Sequence, residues 1–533
     1  MVAFAAVHLL LGSSSFVSAF IVSDRVRIPW WSHTEYCCNS VQHHDWGPLS
    51  ASTPRNEPEA TTVADTDASG RHRANSRWKR VLIHWKGEDK EKYTFRFRHD
   101  ELQAAVAATT NSSSSFHLTF RDALCYMGNR MTSEVSRVAY NQAMQYVDFT
   151  SSDATEYSMD LTRVIQTAVE RCSLIHAAYE IVAETESASL STTDSHREMS
   201  DPEAFERLAQ QALSNGHLAA HLDQSTSWCV RLRDYSNDRT DRQGYRARSM
   251  THERAALTAM APLLRTIPGP VDLDNPDCKL YVLNGVLSSV INSTTTATSL
   301  LLTRRLAGGL PRLSTLNPNT RICVTTTPLC PTAAVLLCNM ARLQPHHRIW
   351  DPYGGSGTVL LAAAFMFPKT ITTMGTEIDP SINVNEIRAD FRTRHLTPPA
   401  VWVTGDCSSA STIDAIGTVD AIVTDPPYGI REALVATTTN PDGDDSSHLV
   451  QRRPIYTLLD MIRKGRRQNK RLLRVGGRLV VLLPHRPDDQ DLHADVLPHP
   501  DAVAQAGLRC ELYREQQLNE RLSRWLVSYV SVE

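Results

Sequence analysis

The stretch Asp420-Ala-Ile-Val-Thr-Asp425-Pro426-Pro427-Tyr428 decides how this chain is read. Ala421, Ile422 and Val423 in succession predict a short strand buried inside a parallel sheet, and the two prolines forbid its continuation. The turn that follows carries one carboxylate, two carbonyls without neighbouring N–H groups, and one aromatic ring. That set suits a flat amine. The carboxylate and a proline-fixed carbonyl both accept from an –NH2 group, while Tyr428 stacks on the ring that bears it. The plainer alternative is a proline turn that merely ends a strand, with Tyr428 packing beneath it.

The flanking sequence favours the chemical reading. From Arg321 onward, apolar strands and helices alternate, which predicts a parallel α/β sheet. A helix is expected over Thr332–Leu343 and strands over Arg348–Trp350, Thr372–Ile378, Val401–Gly405 and Arg478–Leu483, with further strands at Leu508–Gln516 and Trp525–Val532. Helices are expected from the glycine turn to Phe367, over Ser381–Arg392 and over Tyr456–Leu473. Asp351, Glu377, Asp406 and Asp425 each close an apolar strand, at the sheet edge where such folds bind ligands. Gly354-Gly355-Ser356-Gly357 lets backbone come close to a ligand but lacks the full spacing of a dinucleotide fingerprint. Asp351 beside it would repel a pyrophosphate and suits the cationic half of S-adenosylmethionine. Glu377 is placed for ribose hydroxyls and Asp406 for an adenine amine. Single acids at strand ends are often only solvated; four in succession make a methyltransferase pattern.

At 533 residues, two or more domains are expected, and 41% hydrophobic with 21% charged residues describes a globular chain with ample core. A net charge of −3 leaves no global basic field, so a nucleic-acid partner would have to be held by local patches. The eleven cysteines include no Cys-x-x-Cys pair, so neither a disulfide framework nor a protein-built zinc site is predicted. Residues 1–76 form a leader and linker. Val2–Leu11 resembles the apolar region of a signal peptide and Val17-Ser18-Ala19 a cleavage site, although no Lys or Arg precedes them. Phe20 after such a site resembles the bipartite plastid leaders of algae with complex plastids. The run is too short to span a membrane, so no stable membrane association is expected. Residues 77–310 read as an α+β region with short strands at Val81–Trp85, Tyr93–Arg98, Ser227–Arg233 and Leu280–Leu283. Helices are expected over His99–Thr109, Leu161–Val182, Pro202–Leu213 and Thr251–Arg265. Residues 321–533 form the catalytic α/β domain, with a long loop at 429–453.

Read together, Thr325–Asn339, Asp351–Ala364, Gly375–Asp379, Asp420–Glu432, Gly476-Gly477-Arg478 and Arg521-Leu522-Ser523-Arg524 resemble the tRNA (guanosine-10-N2) methyltransferase family. The resemblance implies a class I Rossmann-like methyltransferase domain, with a seven-stranded mostly parallel sheet, preceded by an α+β THUMP-like RNA-binding domain. It implies S-adenosylmethionine as cofactor, S-adenosylhomocysteine as product, and tRNA as partner. It further implies a small zinc-binding activator subunit that adds a strand to the sheet. Carried over by motif, Asp351, Gly354, Gly355, Gly357, Glu377 and Asp406 hold the cofactor, and Asp425, Pro426, Pro427 and Tyr428 hold the guanine and carry catalysis. By resemblance the protein is cytoplasmic; the leader points equally to a plastid or other organelle. The chain departs from the family at Thr327–Pro331, where an acid is usual, and in reading Asp-Pro-Tyr at 351–353 where Asp-Pro-Phe is usual.

Three other functions compete: methylation of another RNA such as rRNA, a non-catalytic RNA- or cofactor-binding scaffold, and a dehydrogenase, which the incomplete glycine fingerprint disfavours. Ten basic residues between Arg452 and Arg478, against the single acid Asp460, form either a phosphate-holding surface beside the site or the solvated face of a helix.

Overall fold

The computed structural model describes residues 78–86, 94–110, 116–124, 144–151, 161–186, 202–219, 221–234, 250–287, 298–325, 327–428, 454–485, 496–519 and 522–532. Residues 1–76, expected to be leader and linker, and residues 429–453, expected to be a long loop, lie outside the described residues. Among the described residues, no helix is long and apolar enough to cross a membrane.

The first half is one seven-stranded sheet: β1 (Trp78–Trp85), β2 (Phe116–Leu124), β3 (Met144–Ser151), β4 (Ile175–Glu186), β5 (Trp228–Asp234), β6 (Cys278–Leu287) and β7 (Thr298–Gly308), in the order β2-β3-β1-β4-β7-β6-β5. With the helices Arg98–Thr109 and Leu161–Glu170, β1–β4 make a βαββαβ unit. The helices Pro202–Asn215 and Met250–Ala259 accompany β5, β6 and β7, and β5 runs parallel to β6. Trp228, Val230 and Leu232 face one core, as their alternation predicts. Arg231 and Arg233, on the other face, are engaged internally: Arg231 donates to the Leu273 carbonyl and Arg233 lies over the Tyr281 ring.

Two expectations fail in this half. Tyr93–Arg98 is not a strand among its described residues; Thr94–Phe97 is a 3-10 turn leading into the helix Arg98–Thr109. Phe97, 1% exposed, packs into the core of the second half, and the Arg98 guanidinium donates to the Lys86 carbonyl. Those two anchors outweigh the local alternation. The helix expected over Leu161–Val182 ends at Glu170, because the Ser173 and Leu174 N–H groups turn to the Glu101 carboxylate and release the chain into β4.

The second half is a further seven-stranded sheet: β8 (Arg348–Asp351), β9 (Thr372–Glu377), β10 (Val401–Thr404), β11 (Val419–Thr424), β12 (Leu473–His485), β13 (Leu508–Asn519) and β14 (Leu522–Ser531). Its order is β10-β9-β8-β11-β12-β14-β13, parallel except where β14 runs against β12 and β13. The sequence reverses between β8 and β11, so their carboxyl ends bound a crevice. The helix Pro331–Met340 starts on Cys330, whose sulfur accepts from the Ala333 N–H, and has Pro331 in its first turn. The helix Pro454–Arg467 buries Ile455, Leu458, Leu459 and Ile462, a helical stripe. It ends six residues before Leu473, the expected end, because the Lys470 N–H closes onto the Gly465 carbonyl with Asn469 in the left-handed region.

The halves join through buried polar contacts. Glu101 on the helix Arg98–Thr109 accepts from Asn339 Nδ2 at 2.9 Å, and Arg171 Nε donates to Asn339 Oδ1 at 2.8 Å. At the surface, Arg514 on β13 pairs with Asp100 at 3.0 Å.

Candidate active site

All four acid-bearing strand ends lie on one edge of the second sheet, because β8, β9, β10 and β11 run parallel. Glycine shapes the turn after β8. Gly355 and Gly357 have φ of +50° and +76°, a region strained for residues with a Cβ. A Cβ on Gly354 would lie 2.8 Å from the Trp402 ring and 3.1 Å from the Thr376 carbonyl oxygen, whereas one on Gly355 would meet nothing closer than 4.0 Å. The turn is thus packed tight at Gly354 and open at Gly355, where a ligand can approach the backbone. Behind it, the buried Arg321 guanidinium donates to Thr358 Oγ1 at 2.8 Å, to the Ser356 carbonyl and to Asp390.

Glu377 lies beside this turn, with Oε2 accepting the Gly355 N–H at 2.7 Å and Oε1 the Asp379 N–H at 2.9 Å. Each oxygen keeps a second lone pair. Asp406 is exposed and takes the Ser408 N–H and hydroxyl. Asp351 is 2% exposed, and its Oδ1 accepts from Thr424 Oγ1 at 2.6 Å and from the Tyr353 N–H at 3.2 Å. Burial pushes its carboxyl up to about 7, only partly offset by those two bonds, with the Asp425 and Glu377 charges adding to the rise. Through Oδ1, Asp351 ties the ends of β8 and β11 together.

The Asp-Pro-Pro-Tyr turn follows Thr424 directly. Pro426 is buried, while Pro427 and Tyr428 are half-buried. The Asp425 side chain retains 21% exposure, so it does not point into packed core. Tyr428 Oη donates to Asp425 Oδ1 at 2.6 Å rather than presenting the ring with its hydroxyl idle. Burial raises the Asp425 carboxyl above its ordinary range, and the Arg524 charge and the Tyr428 hydroxyl pull it back. Sequence reasoning gave no role to Arg524, at the start of β14. Its Nη1 lies 3.4 Å from Tyr428 Oη and 3.9 Å from Asp425 Oδ2. The only signal was its place in the quoted Arg521–Arg524 motif. Thr424, inside the deciding stretch, was likewise given no role.

Of the two readings of the basic run between Arg452 and Arg478, a surface beside the site is not what its residues from Arg463 onward make. Its described residues from Arg463 onward gather where the helix Pro454–Arg467 ends and β12 begins, at the amino edge of the sheet. There Lys470 pairs with Asp414, Arg474 with Asp420, and Arg478 with Glu511. His347 is a structural loop residue, whose Nδ1 accepts the Gln344 N–H. Among the described residues, no group of three or more His, Cys, Asp or Glu is placed to hold a metal.

A sheet of this order, with a glycine turn after its first strand and Asp-Pro-Pro-Tyr after its fourth, defines a class I Rossmann-like methyltransferase domain. Residues 318–437 match the family described as UPF0020, RMKL-like, methyltransferase domain. A longer stretch is 30% identical over 224 residues to tRNA (guanine(10)-N(2))-methyltransferase TRMT11 of Xenopus laevis, covering 37% of this chain and 44% of that protein. The enzyme of the same name from Dictyostelium discoideum is 28% identical over 187 residues, 33% of this chain and 36% of the relative. A probable tRNA (guanine(10)-N2)-dimethyltransferase of Methanothermococcus thermolithotrophicus is 36% identical over 101 residues, 18% of this chain and 60% of the relative. The matches to these three span between about a third and three-fifths of the relatives' own length.

Proposed function

We propose that this protein is an S-adenosylmethionine-dependent methyltransferase acting on the exocyclic N2 amine of a guanosine in tRNA, at position 10 as the relatives' names suggest. One observation carries the reading: the 2.6 Å bond from Thr424 to Asp351 places the glycine turn and the Asp-Pro-Pro-Tyr turn side by side at one sheet edge. A nucleoside site and an amine site thereby share a wall.

The residues present fit the cofactor. Gly354, Gly355 and Gly357 would let its nucleoside approach backbone, Glu377 would take ribose hydroxyls, and Asp406 an adenine amine. When bound, S-adenosylmethionine supplies an electrophilic methyl group. The chain's own residues do the rest. A guanine amine is a weak nucleophile because its lone pair is delocalised into the ring. Asp425 and the Pro426 carbonyl accept hydrogen bonds from its two N–H groups, so that the nitrogen pyramidalises with its lone pair in the attack direction. Alignment of this kind contributes up to about 7–11 kcal/mol. Asp425 takes the proton that becomes acidic once the nitrogen carries four bonds. Reaching the pocket requires the base to leave its stack, and the Tyr428 ring offers a replacement surface while its hydroxyl stays on Asp425.

The α-β-α-β-β portion from Pro202 to Gly308 is, on this reading, the THUMP-like element that holds tRNA. The half-exposed edge strand β10, which pairs only with β9 among the described residues, is where an activator subunit would add a strand. The leader 1–76 directs the protein to an organelle if a fusion of those residues to a fluorescent protein leaves the cytosol. The test of function is labelled methyl transfer to tRNA by the purified chain, with and without a co-expressed activator, followed by nucleoside analysis. N2-methylguanosine is expected; label in protein glutamine, DNA adenine or rRNA would refute the substrate assignment.

A further inference from the structure

The side chain of Arg524 is 9% exposed, yet among the described residues it has no carboxylate closer than Asp425 at 3.9 Å. Burying a guanidinium without a close ion pair is costly, so such a group is retained where its charge has a use. Three contacts fix its direction. Nε donates to Gln516 Oε1 at 2.8 Å, across the β13–β14 register that pairs those two residues. Nη1 lies 3.4 Å from Tyr428 Oη, and the same nitrogen faces Asp425 Oδ2. Strand alternation explains why it reaches the site. Val423 and Leu526 share one core, so Asp425 and Arg524, each two residues along, project on that same face of the sheet.

The array has a direction as well. Tyr428 donates its proton to Asp425 Oδ1, and its oxygen is left to accept from Arg524. Asp425 Oδ2 is the oxygen turned toward the guanidinium and is not used by Tyr428. A substrate amine entering here meets a carboxylate with one oxygen held by the phenol and the other polarised by the cation. Burial opposes ionisation by removing water from around Asp425, and the neighbouring carboxyl across the Thr424 bond, Asp351, is the one whose proton the Asp425 charge helps to hold. Cys330, at the start of the helix Pro331–Met340, also lies within electrostatic range of the guanidinium.

We infer that Arg524 is a positioning residue for methyl transfer, holding Tyr428 against Asp425 and supplying the charge that keeps Asp425 an acceptor while the amine is bound. This rests on the methyltransferase reading above. Arg524 acts through Asp425 and Tyr428 and touches neither reacting atom.

The test compares wild type with Arg524→Met and Arg524→Lys in the full chain, with fold and S-adenosylhomocysteine affinity checked in each. The first readout is independent of turnover: the carboxyl carbon-13 resonance of Asp425, identified by its loss in Asp425→Asn, followed through a pH titration. In Arg524→Met it is expected to titrate at higher pH than in wild type, and in Arg524→Lys between the two. The second readout is methyl transfer to tRNA against pH. An opposite charge at this range favours the ionised form by about tenfold or more. Arg524→Met should therefore lose more kcat the lower the pH, approaching on the order of tenfold where Asp425 is mostly protonated in both proteins, with the deficit shrinking at alkaline pH and KM for tRNA little changed. A folded Arg524→Met with an unshifted Asp425 titration, or a deficit equal at every pH, overturns the inference. If wild type methylates a different amine, the substrate reading fails, and the carboxyl titration still decides the role of Arg524.

Discussion

Removing the Glu101 carboxylate tests the polar joint between the two halves. Its side chain is fully buried and accepts four hydrogen bonds: Oε1 from the Ser173 N–H and hydroxyl, both at 2.7 Å, and from Asn339 Nδ2 at 2.9 Å, and Oε2 from the Leu174 N–H at 2.9 Å. In Glu101→Ala the Ser173 hydroxyl can rotate away, and the Asn339 amide keeps the Arg171 carbonyl at 2.9 Å. The two backbone N–H groups have no such recourse. At about 1–3 kcal/mol for each buried donor left unsatisfied, the loss is about 2–6 kcal/mol. Glu101→Gln retains an oxygen at the Oε1 position and forfeits only the Leu174 bond, about 1–3 kcal/mol. Urea unfolding followed by tryptophan fluorescence, compared at matched slope, reads both. The order wild type, Gln, Ala is the expected result. An Ala variant within about 1 kcal/mol of wild type, or a Gln variant as damaged as Ala, would refute the reasoning.

Four further outcomes follow from the same structure. Gly354→Ala places a Cβ 2.8 Å from the Trp402 ring, so the turn must shift; overpacking of about 1–3 kcal/mol and weaker S-adenosylhomocysteine binding by calorimetry are expected. Asp351 titrates at about 7 in the folded chain against an ordinary value of 3.8, so the folded state holds its proton longer and stability falls as pH rises between those values. Asp351→Asn should flatten that part of the stability–pH curve, and an unchanged slope would count against it. His84 is driven by burial down to about 3, with His176 beside it at about 4, so both stay neutral in the fold while the unfolded chain takes up protons below 6.5. Stability should drop as pH falls from 6.5 toward 3, and His84→Phe should lessen the drop in acid-denaturation scans. The exposed Lys464, Arg467 and Arg471 lie at the amino edge, away from the candidate site. Reversing all three to Glu is expected to leave methylation of tRNA within about twofold of wild type at moderate salt, as judged by initial rates.

Much of the site can be read in the sequence because its parts are local. A strand, a glycine turn and a helix start within a dozen residues of one another at Trp350–Thr358, and Asp425–Tyr428 is continuous with β11. Parallel strands alternating with helices then place those turns on one edge. Local pattern failed where two signals overlapped: Phe95 and Phe97 alternate as in a strand but sit where a 3-10 turn enters a helix, and the apolar run after Leu161 changes from helical to extended period at a turn fixed by a distant carboxylate.

The residues alone give the order of elements in the second half, the four acids at strand ends and the Asp-Pro-Pro-Tyr turn, since each depends on positions a few apart. Only the tertiary structure decided what those acids touch. Asp351 turns to Thr424, 73 residues on, and titrates near neutrality. Tyr428 meets Arg524 across 96 residues, and Glu101 meets Asn339 across 238. From Arg463 onward the basic run falls at the far edge because its helix runs back against the strands. Periodicity reports which face of an element is buried; the partner on that face is chosen by packing between segments distant in the chain, and no local pattern encodes it.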